Sequence, residues 1–329
     1  MTPVLFLICG VGFVLLYYSA EWLVRGSAGL ARTLGVSPIV IGLTVVAFGT
    51  STPELVVSVI SSIKDMSMIA VGNVVGSNIC NMGLILGTAA VLRPLTCHSS
   101  VVQRDIPIML GISLLLLALS LDSRLSRAEG AILFLGIVAY TYFNYRVAMK
   151  APRFIVRDRM SDGESGLDEM GLIPSRSRQI ALIAIGIAGV IAGAEIVVES
   201  AVKIMRTLGV EEKFIGLTVV AFGTSLPELA TSVVAALRKE MDISVGNLVG
   251  SNVFNLLSVL GASALVRPIP IPGGFVESGL VVDYGVMLLV SFLPWVMMGK
   301  SGTMSRTDGF ILLCCYGGYL TYLVGKTMW

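Results

Sequence analysis

Charge is what this chain has least of. Asp, Glu, Lys and Arg together make up 13% of its 329 residues, while 55% are hydrophobic. An ordinary soluble domain carries roughly 25% charged residues, so the balance excludes a water-soluble globule and places the chain in a lipid bilayer. Histidine is scarcer still. The single imidazole, His98, falls in a loop with no partner for acid–base work and reads as an ordinary solvated residue. The five cysteines, Cys9, Cys80, Cys97, Cys314 and Cys315, are odd in number and lack metal-ligand spacing, so they read as small hydrophobes. With so few soft ligands, zinc and copper are disfavoured, and no cofactor is implied. The net charge of +2 comes from basic residues placed mostly between apolar segments, not on an aromatic-laced surface, so nucleic acid is not a partner. Strict alternation of apolar and polar residues is also missing, which excludes a transmembrane barrel. The first apolar stretch has neither a basic start nor a small-residue cleavage pattern, and reads as a span instead of a secretory signal.

Long apolar runs are abundant. A segment of about 20 residues crosses a hydrocarbon core of about 30 Å as a helix. Ten such segments cover residues 3–24, 36–62, 68–92, 105–121, 127–147, 179–203, 210–237, 242–266, 279–298 and 307–327. The expected fold is an all-α polytopic membrane protein. With the amino terminus outside, 15 of the 23 Lys and Arg fall on the cytoplasmic side, as the positive-inside rule favours. Both termini are then expected outside, and the mixed-charge segment 150–178 is expected to be a cytoplasmic linker.

The sequence repeats itself. IGLTVVAFGTSTPEL at Ile41 to Leu55 returns as IGLTVVAFGTSLPEL at Ile215 to Leu229, an offset of 174 residues. At the same offset VGNVVGSNICN, Val71 to Asn81, returns as VGNLVGSNVFN, Val245 to Asn255, and Arg93-Pro94 returns as Arg267-Pro268. The chain is a duplicated unit, with a first repeat over 1–149 and a second over 179–329. Five spans per copy is an odd number, so the second copy enters the membrane inverted. Inverted repeats present equivalent faces to the two sides and suit alternating access by a transporter.

Both copies put ionisable and polar groups inside apolar segments. A carboxylate at membrane depth is costly, so Glu54 and Glu228 read as functional. Ala47, Thr50, Ser51 and Glu54 lie at helical spacing on one face, and Pro53 interrupts it by leaving the Gly49 carbonyl without its helical donor. Pro227 does the same to Gly223. Asn73, Ser77 and Asn81 lie at i, i+4 and i+8 on the next segment, as do Asn247, Ser251 and Asn255. Equivalent depths in both copies predict one shared midplane site in which Glu54 and Glu228 face each other. Its hard oxygens point to calcium, sodium or protons. Thr44, Thr218, Asn78 and Asn252 read equally well as hydrogen bonds between helices. Glu21 and Glu195, near span ends, read as snorkelling or interfacial groups. Ser51 and Ser225 have no visible base, so a hydrolase is not expected.

Gly-Thr-Ser-x-Pro-Glu followed on the next helix by Gly-Ser-Asn-x-x-Asn, occurring twice, resembles the two alpha repeats of the calcium/cation antiporter superfamily, and most closely its prokaryotic sodium/calcium exchanger branch. The resemblance covers the whole ten-span layout. It implies ten helices as two inverted five-helix repeats, and exchange of Ca2+ for Na+ by alternating access, with the first and sixth helices sliding over a more static core. Carried over by position, it implies ion ligands at Ala47, Thr50, Ser51, Glu54, Ser77 and Asn81, and at Ala221, Thr224, Ser225, Glu228, Ser251 and Asn255. The proton/calcium branch, which would use H+ and the same two glutamates, lacks the Thr-Ser pair in its motifs and matches less well. A channel is disfavoured by the inverted repeats and broken helices. Sodium/calcium exchangers often carry Asp where this chain has Asn255, which leaves two carboxylates in the implied site.

Overall fold

The computed structural model describes residues 2–150, 175–210, 221–271, 274–299 and 301–328. Most of the expected linker 150–178 and the first part of segment 210–237, with Thr218, lie outside the described residues. The described chain is mostly helix. Its main elements are α1 (Thr2–Leu34), α2 (Pro38–Thr50), α3 (Thr52–Ile63), α4 (Met68–Leu92), α5 (Val101–Ser120), α6 (Arg127–Lys150), α7 (Arg176–Thr207), α8 (Leu226–Leu237), α9 (Met241–Val266), α10 (Leu280–Met298) and α11 (Arg306–Met328). Among the described residues eight helices are long and apolar enough to cross a membrane, or nine when the bent pair α2–α3 is taken as one span. Segment 210–237 is represented by Ala221–Gly223 and the apolar helix α8.

The prolines act as their chemistry requires. Pro38 opens α2 within its first turn, preceded by Ser37 in an extended conformation, where a missing N–H costs nothing. Pro53 sits at the start of α3, and the axis turns by 46° between α2 and α3. The turn is centred on Ser51, at φ −85° and ψ 8°. Ser225, immediately before α8, has almost the same conformation, at φ −89° and ψ 4°. The two copies therefore break at the same residue.

Two compact units make up the chain, and each draws on both copies of the repeat. The first comprises Met1–Pro53 and Val147–Asn247. Here α1 packs along α7 with small residues at the contact. A Cβ placed on Gly193 would come 3.0 Å from the Leu16 amide nitrogen, one on Gly186 2.7 Å from that of Leu23, and one on Gly26 3.0 Å from that of Ile183. One number rises as the other falls, so the helices are antiparallel. Gly12 approaches Val197 as Gly186 approaches Leu23, and these contacts are each other's copies at the 174-residue offset. Glycine allows such close backbone approach. Glu21 on α1 is paired with Arg238 at 2.7 Å.

The second unit comprises Glu54–Arg146 and Leu248–Trp329. Four two-residue strands record its topology: β1 (Leu95–Thr96) pairs with β4 (Thr303–Met304), and β2 (Arg124–Leu125) pairs with β3 (Ile269–Pro270), both antiparallel. β1 precedes α5 and β2 follows it; β3 precedes α10 and β4 follows it. The start of α5 is thus tied to the end of α10 and the end of α5 to the start of α10, so these equivalent helices run in opposite directions, as inversion requires. The most enclosed helices are α4 and α9, with 78% and 83% of their apolar windows buried, against 11–39% for the other long spans. Those others turn large apolar side chains outward, among them Phe6, Leu7, Leu135 and Phe310, as lipid-facing helices do.

Candidate cation-binding residues

In the first unit the break between α2 and α3 gathers hydroxyls around a carboxylate. Thr50, Ser51, Ser225, Glu228 and Asn247 are all fully buried. Ser51 Oγ donates to Glu228 Oε1 at 2.9 Å, joining the first copy of the motif to the second. A carboxylate taken out of water requires charge-assisted hydrogen bonds or a cation, and this serine supplies one such bond. Thr50 Oγ1 lies 3.1 Å from Asn247 Oδ1 and 3.2 Å from the Val46 carbonyl. The Ala47 carbonyl accepts the Ser51 amide at 3.0 Å, closing the last turn before the break. Asn247 Nδ2 donates to Ser232 Oγ at 3.0 Å, and Ser232 and Ser244 bond each other's carbonyls.

In the second unit the equivalent bonds recur. Asn73 Nδ2 donates to Ser58 Oγ at 2.9 Å and to the Glu54 carbonyl at 3.2 Å. Asn73–Ser58 and Asn247–Ser232 are copies of one interaction, so each asparagine fastens its helix to the one after the break. Neither asparagine belongs to the implied ligand set; both hold the elements that carry it. Farther along α4 and α9, Asn78, Asn81, Asn252 and Asn255 form a closed set of amides, all 0–1% exposed. Asn81 Nδ2 donates to Asn252 Oδ1 at 3.0 Å and Asn255 Nδ2 to Asn78 Oδ1 at 3.1 Å. Spacing assigned Asn73 and Asn81 to one face, yet their partners differ. Asn81 lies eight residues beyond Asn73, about 12 Å farther along the axis, where α4 changes to π-helix over Cys80–Ile85, as α9 does over Asn255–Val259. A π segment inserts a residue into the helical register and is frequent at functional sites. A third, Gly42–Val46, precedes Ala47.

Ser77 and Ser251 are buried, and Ser251 Oγ has no hydrogen-bond partner among the described residues. Of the implied ligands, Ser51 and Glu228 meet directly. Thr50 reaches Asn247 instead, while Asn81 and Asn255 reach Asn252 and Asn78. Thr224 is half-buried beside the turn. Ala221 lies in the short helix before it, Gly223 closing that turn. Among the described residues no three His, Cys, Asp or Glu gather as a metal cluster. His98 accepts the Ser100 amide at 3.2 Å and serves its own turn.

Inverted helical copies, broken at matching serines and carrying buried carboxylates, define a membrane transporter of cations. The family model for sodium/calcium exchanger proteins matches residues 4–146 and 178–325, and the chain belongs to this family. It is 37% identical to the inner membrane protein YrbG of Escherichia coli, over 95% of this chain and 94% of that one. It is 34% identical to the sodium/calcium exchanger MaX1 of Methanosarcina acetivorans, over 98% of this chain and 99% of that one. A solved structure of the sodium-calcium exchanger NCX_Mj, soaked with zero Na+ and Ca2+, superposes with a TM-score of 0.83 at 31% identity, covering 98% of this chain and 100% of that one. Cation antiport, with calcium among the cations, is the activity of the family.

Proposed function

We propose that this protein exchanges Ca2+ for Na+ across a membrane by alternating access. The cations are held by oxygens of Ala47, Thr50, Ser51, Glu54, Ser77 and Asn81 from the first copy and of Ala221, Thr224, Ser225, Glu228, Ser251 and Asn255 from the second. The observation that carries this reading is the hydrogen bond from Ser51 to Glu228, which unites the two motif copies around one buried carboxylate. Hydroxyl, amide, carbonyl and carboxylate oxygens suit calcium, which takes 6–8 such ligands, and suit sodium by the same hardness. Glu54 and Glu228 bring a charge of −2, which one calcium or two sodium ions balance. A third sodium leaves an excess positive charge in a medium that penalises it. An unloaded pair of carboxylates resists the conformational switch, so that the protein exchanges ions and does not leak them.

The two copies, 1–149 and 179–329, are joined by 150–178 on the cytoplasmic side, with both termini outside. A single cysteine at Gly163 is then labelled by an impermeant reagent from the cytoplasmic face alone, and labelling of intact cells reverses the orientation. The exchange itself is tested by calcium uptake into proteoliposomes with and without an opposing sodium gradient. Uptake that needs the sodium gradient supports the proposal. Uptake that follows a pH gradient and ignores sodium replaces it with proton/calcium antiport through the same glutamates.

A further inference from the structure

The four asparagines of α4 and α9 pair reciprocally, and the pattern decides which end of each amide points where. Asn78 Nδ2 donates to the Asn252 backbone carbonyl at 3.3 Å, and Asn252 Nδ2 to the Asn78 carbonyl at 3.4 Å. A carbonyl only accepts, so the groups facing these two carbonyls are the amide nitrogens. The oxygens of Asn78 and Asn252 are thereby directed at the other pair, and an oxygen admits a donor only. Asn255 must meet Asn78 Oδ1 with its Nδ2, at 3.1 Å, and Asn81 must meet Asn252 Oδ1 with its Nδ2, at 3.0 Å. Flipping either amide would set oxygen against oxygen. The remaining end of both Asn81 and Asn255 is therefore Oδ1. Both oxygens are buried and have no hydrogen-bond partner among the described residues. A buried acceptor left unsatisfied costs about 1–3 kcal/mol, so two of them, at equivalent places in the repeat, mark oxygens held for a ligand.

We infer that Asn78 and Asn252 are positioning residues that lock the Asn255 and Asn81 amides with their carbonyl oxygens presented to a cation. The inference rests on the proposal that Asn81 and Asn255 are ligands, and adds why they present oxygen. The consequence is chemical: an asparagine free to rotate offers a cation either end, and the NH2 end repels it. Locked, each amide is a neutral, hard ligand of fixed orientation, and its selectivity no longer depends on its own rotamer. Each lock is supplied by the opposite copy, Asn78 serving Asn255 and Asn252 serving Asn81. That crossing separates it from mere helix packing.

A double-mutant cycle on calcium binding by the purified full-length protein tests this, with sodium competition as a second readout. Asn255→Ala is expected to lower apparent calcium affinity about tenfold, the equivalent of one lost charge-assisted contact. Asn78→Ala lowers it by a similar factor in the wild-type background, and has little further effect once Asn255 is Ala. In an Asn81→Ala background Asn78→Ala keeps most of its effect, although Asn81 is one turn away on the same helix. Asn252 mirrors this, coupled to Asn81 more strongly than to Asn255. Should Asn78→Ala fail to fold, Asn78→Asp serves. Protonated, its carboxyl accepts from Asn255 and donates to the Asn252 carbonyl, so affinity recovers at acidic pH and falls as the group ionises. Additive effects of Asn78→Ala and Asn255→Ala, or equal coupling of Asn78 to Asn81, would overturn the positioning role while leaving the ligands in place. Unchanged calcium and sodium affinity in Asn81→Ala and Asn255→Ala would overturn both the ligands and the lock.

Discussion

The carboxylate-bearing helices and the amide-bearing helices solve the same problem differently. Glu54 and Glu228 sit one residue past a proline, on elements interrupted at Ser51 and Ser225. The asparagines sit on α4 and α9, which are the most buried helices and keep their axes while passing through π-helix. A charge in lipid needs strong local donors, and a break in the helix brings a hydroxyl to it, as Ser51 comes to Glu228. A neutral amide needs its orientation fixed, and reciprocal bonds between two continuous helices do that. Charge goes where the backbone is opened, and direction is set where it is not.

The sharpest break of this contrast is removal of the charge. Glu54→Ala or Glu228→Ala is expected to reduce calcium flux to background while the protein still inserts, as measured by proteoliposome uptake alongside a thermal melt. Full activity in either variant would leave the charged pair without a role. Removing only the hydroxyl that serves the charge is milder. Ser51→Ala loses the 2.9 Å bond to Glu228, and hydrogen bonds to charged groups are worth about 1.5–3 kcal/mol. Apparent calcium affinity should fall about tenfold or more, with the fold intact by melting.

Blurring the contrast is a third test. Asn255→Asp puts a carboxyl where Asn78 Oδ1 demands a donor, so the new group fits as a protonated acid, and transport should gain a pH dependence with little change in sodium coupling. Asn81→Asp, facing Asn252 Oδ1, should behave alike. A steeper dependence on sodium and voltage instead would mean that the added charge holds another cation. A fourth test lies outside the spans and leaves flux alone. The Glu240 carboxyl, buried between α8 and α9, is pushed up to about 7 by burial and by Asp242, with Arg32 opposing. Its ionisation penalises the folded state, so stability falls as pH rises from about 4.5 to about 7 and levels off above. Glu240→Gln should therefore melt above the wild type at pH 8 and match it at pH 4, and a constant difference across that range would remove Glu240 as the cause.

Much of this was legible in the sequence because duplication is a register. The 174-residue offset identified equivalent prolines, serines and carboxylates before any coordinate, and odd parity required the inversion that β1–β4, β2–β3 and the α1–α7 register display. Proline chemistry located the breaks to within two residues. Helical spacing named the polar faces of α4 and α9, but could not name partners. Asn78 and Asn252 were equally readable as packing bonds, and what they do depends on backbone carbonyls of the other copy. The π segments were not legible at all, because nothing in Cys80–Ile85 or Asn255–Val259 departs from ordinary helical composition. An inserted residue turns the face that follows it by about 100°, so the helical spacing read before Cys80 and Asn255 does not carry past them. Glu21 was readable as interfacial, though its pairing with Arg238 depends on the chain folding back across more than two hundred residues.

Competition between calcium and sodium for one set of oxygens is the claim on which the rest depends. Equilibrium calcium binding to the purified wild-type protein, titrated with sodium at constant ionic strength, measures it directly. Two buried carboxylates require about two sodium ions for each calcium displaced, so calcium should be driven off completely, with a Hill slope near two. Calcium that stays bound at saturating sodium would contradict the account.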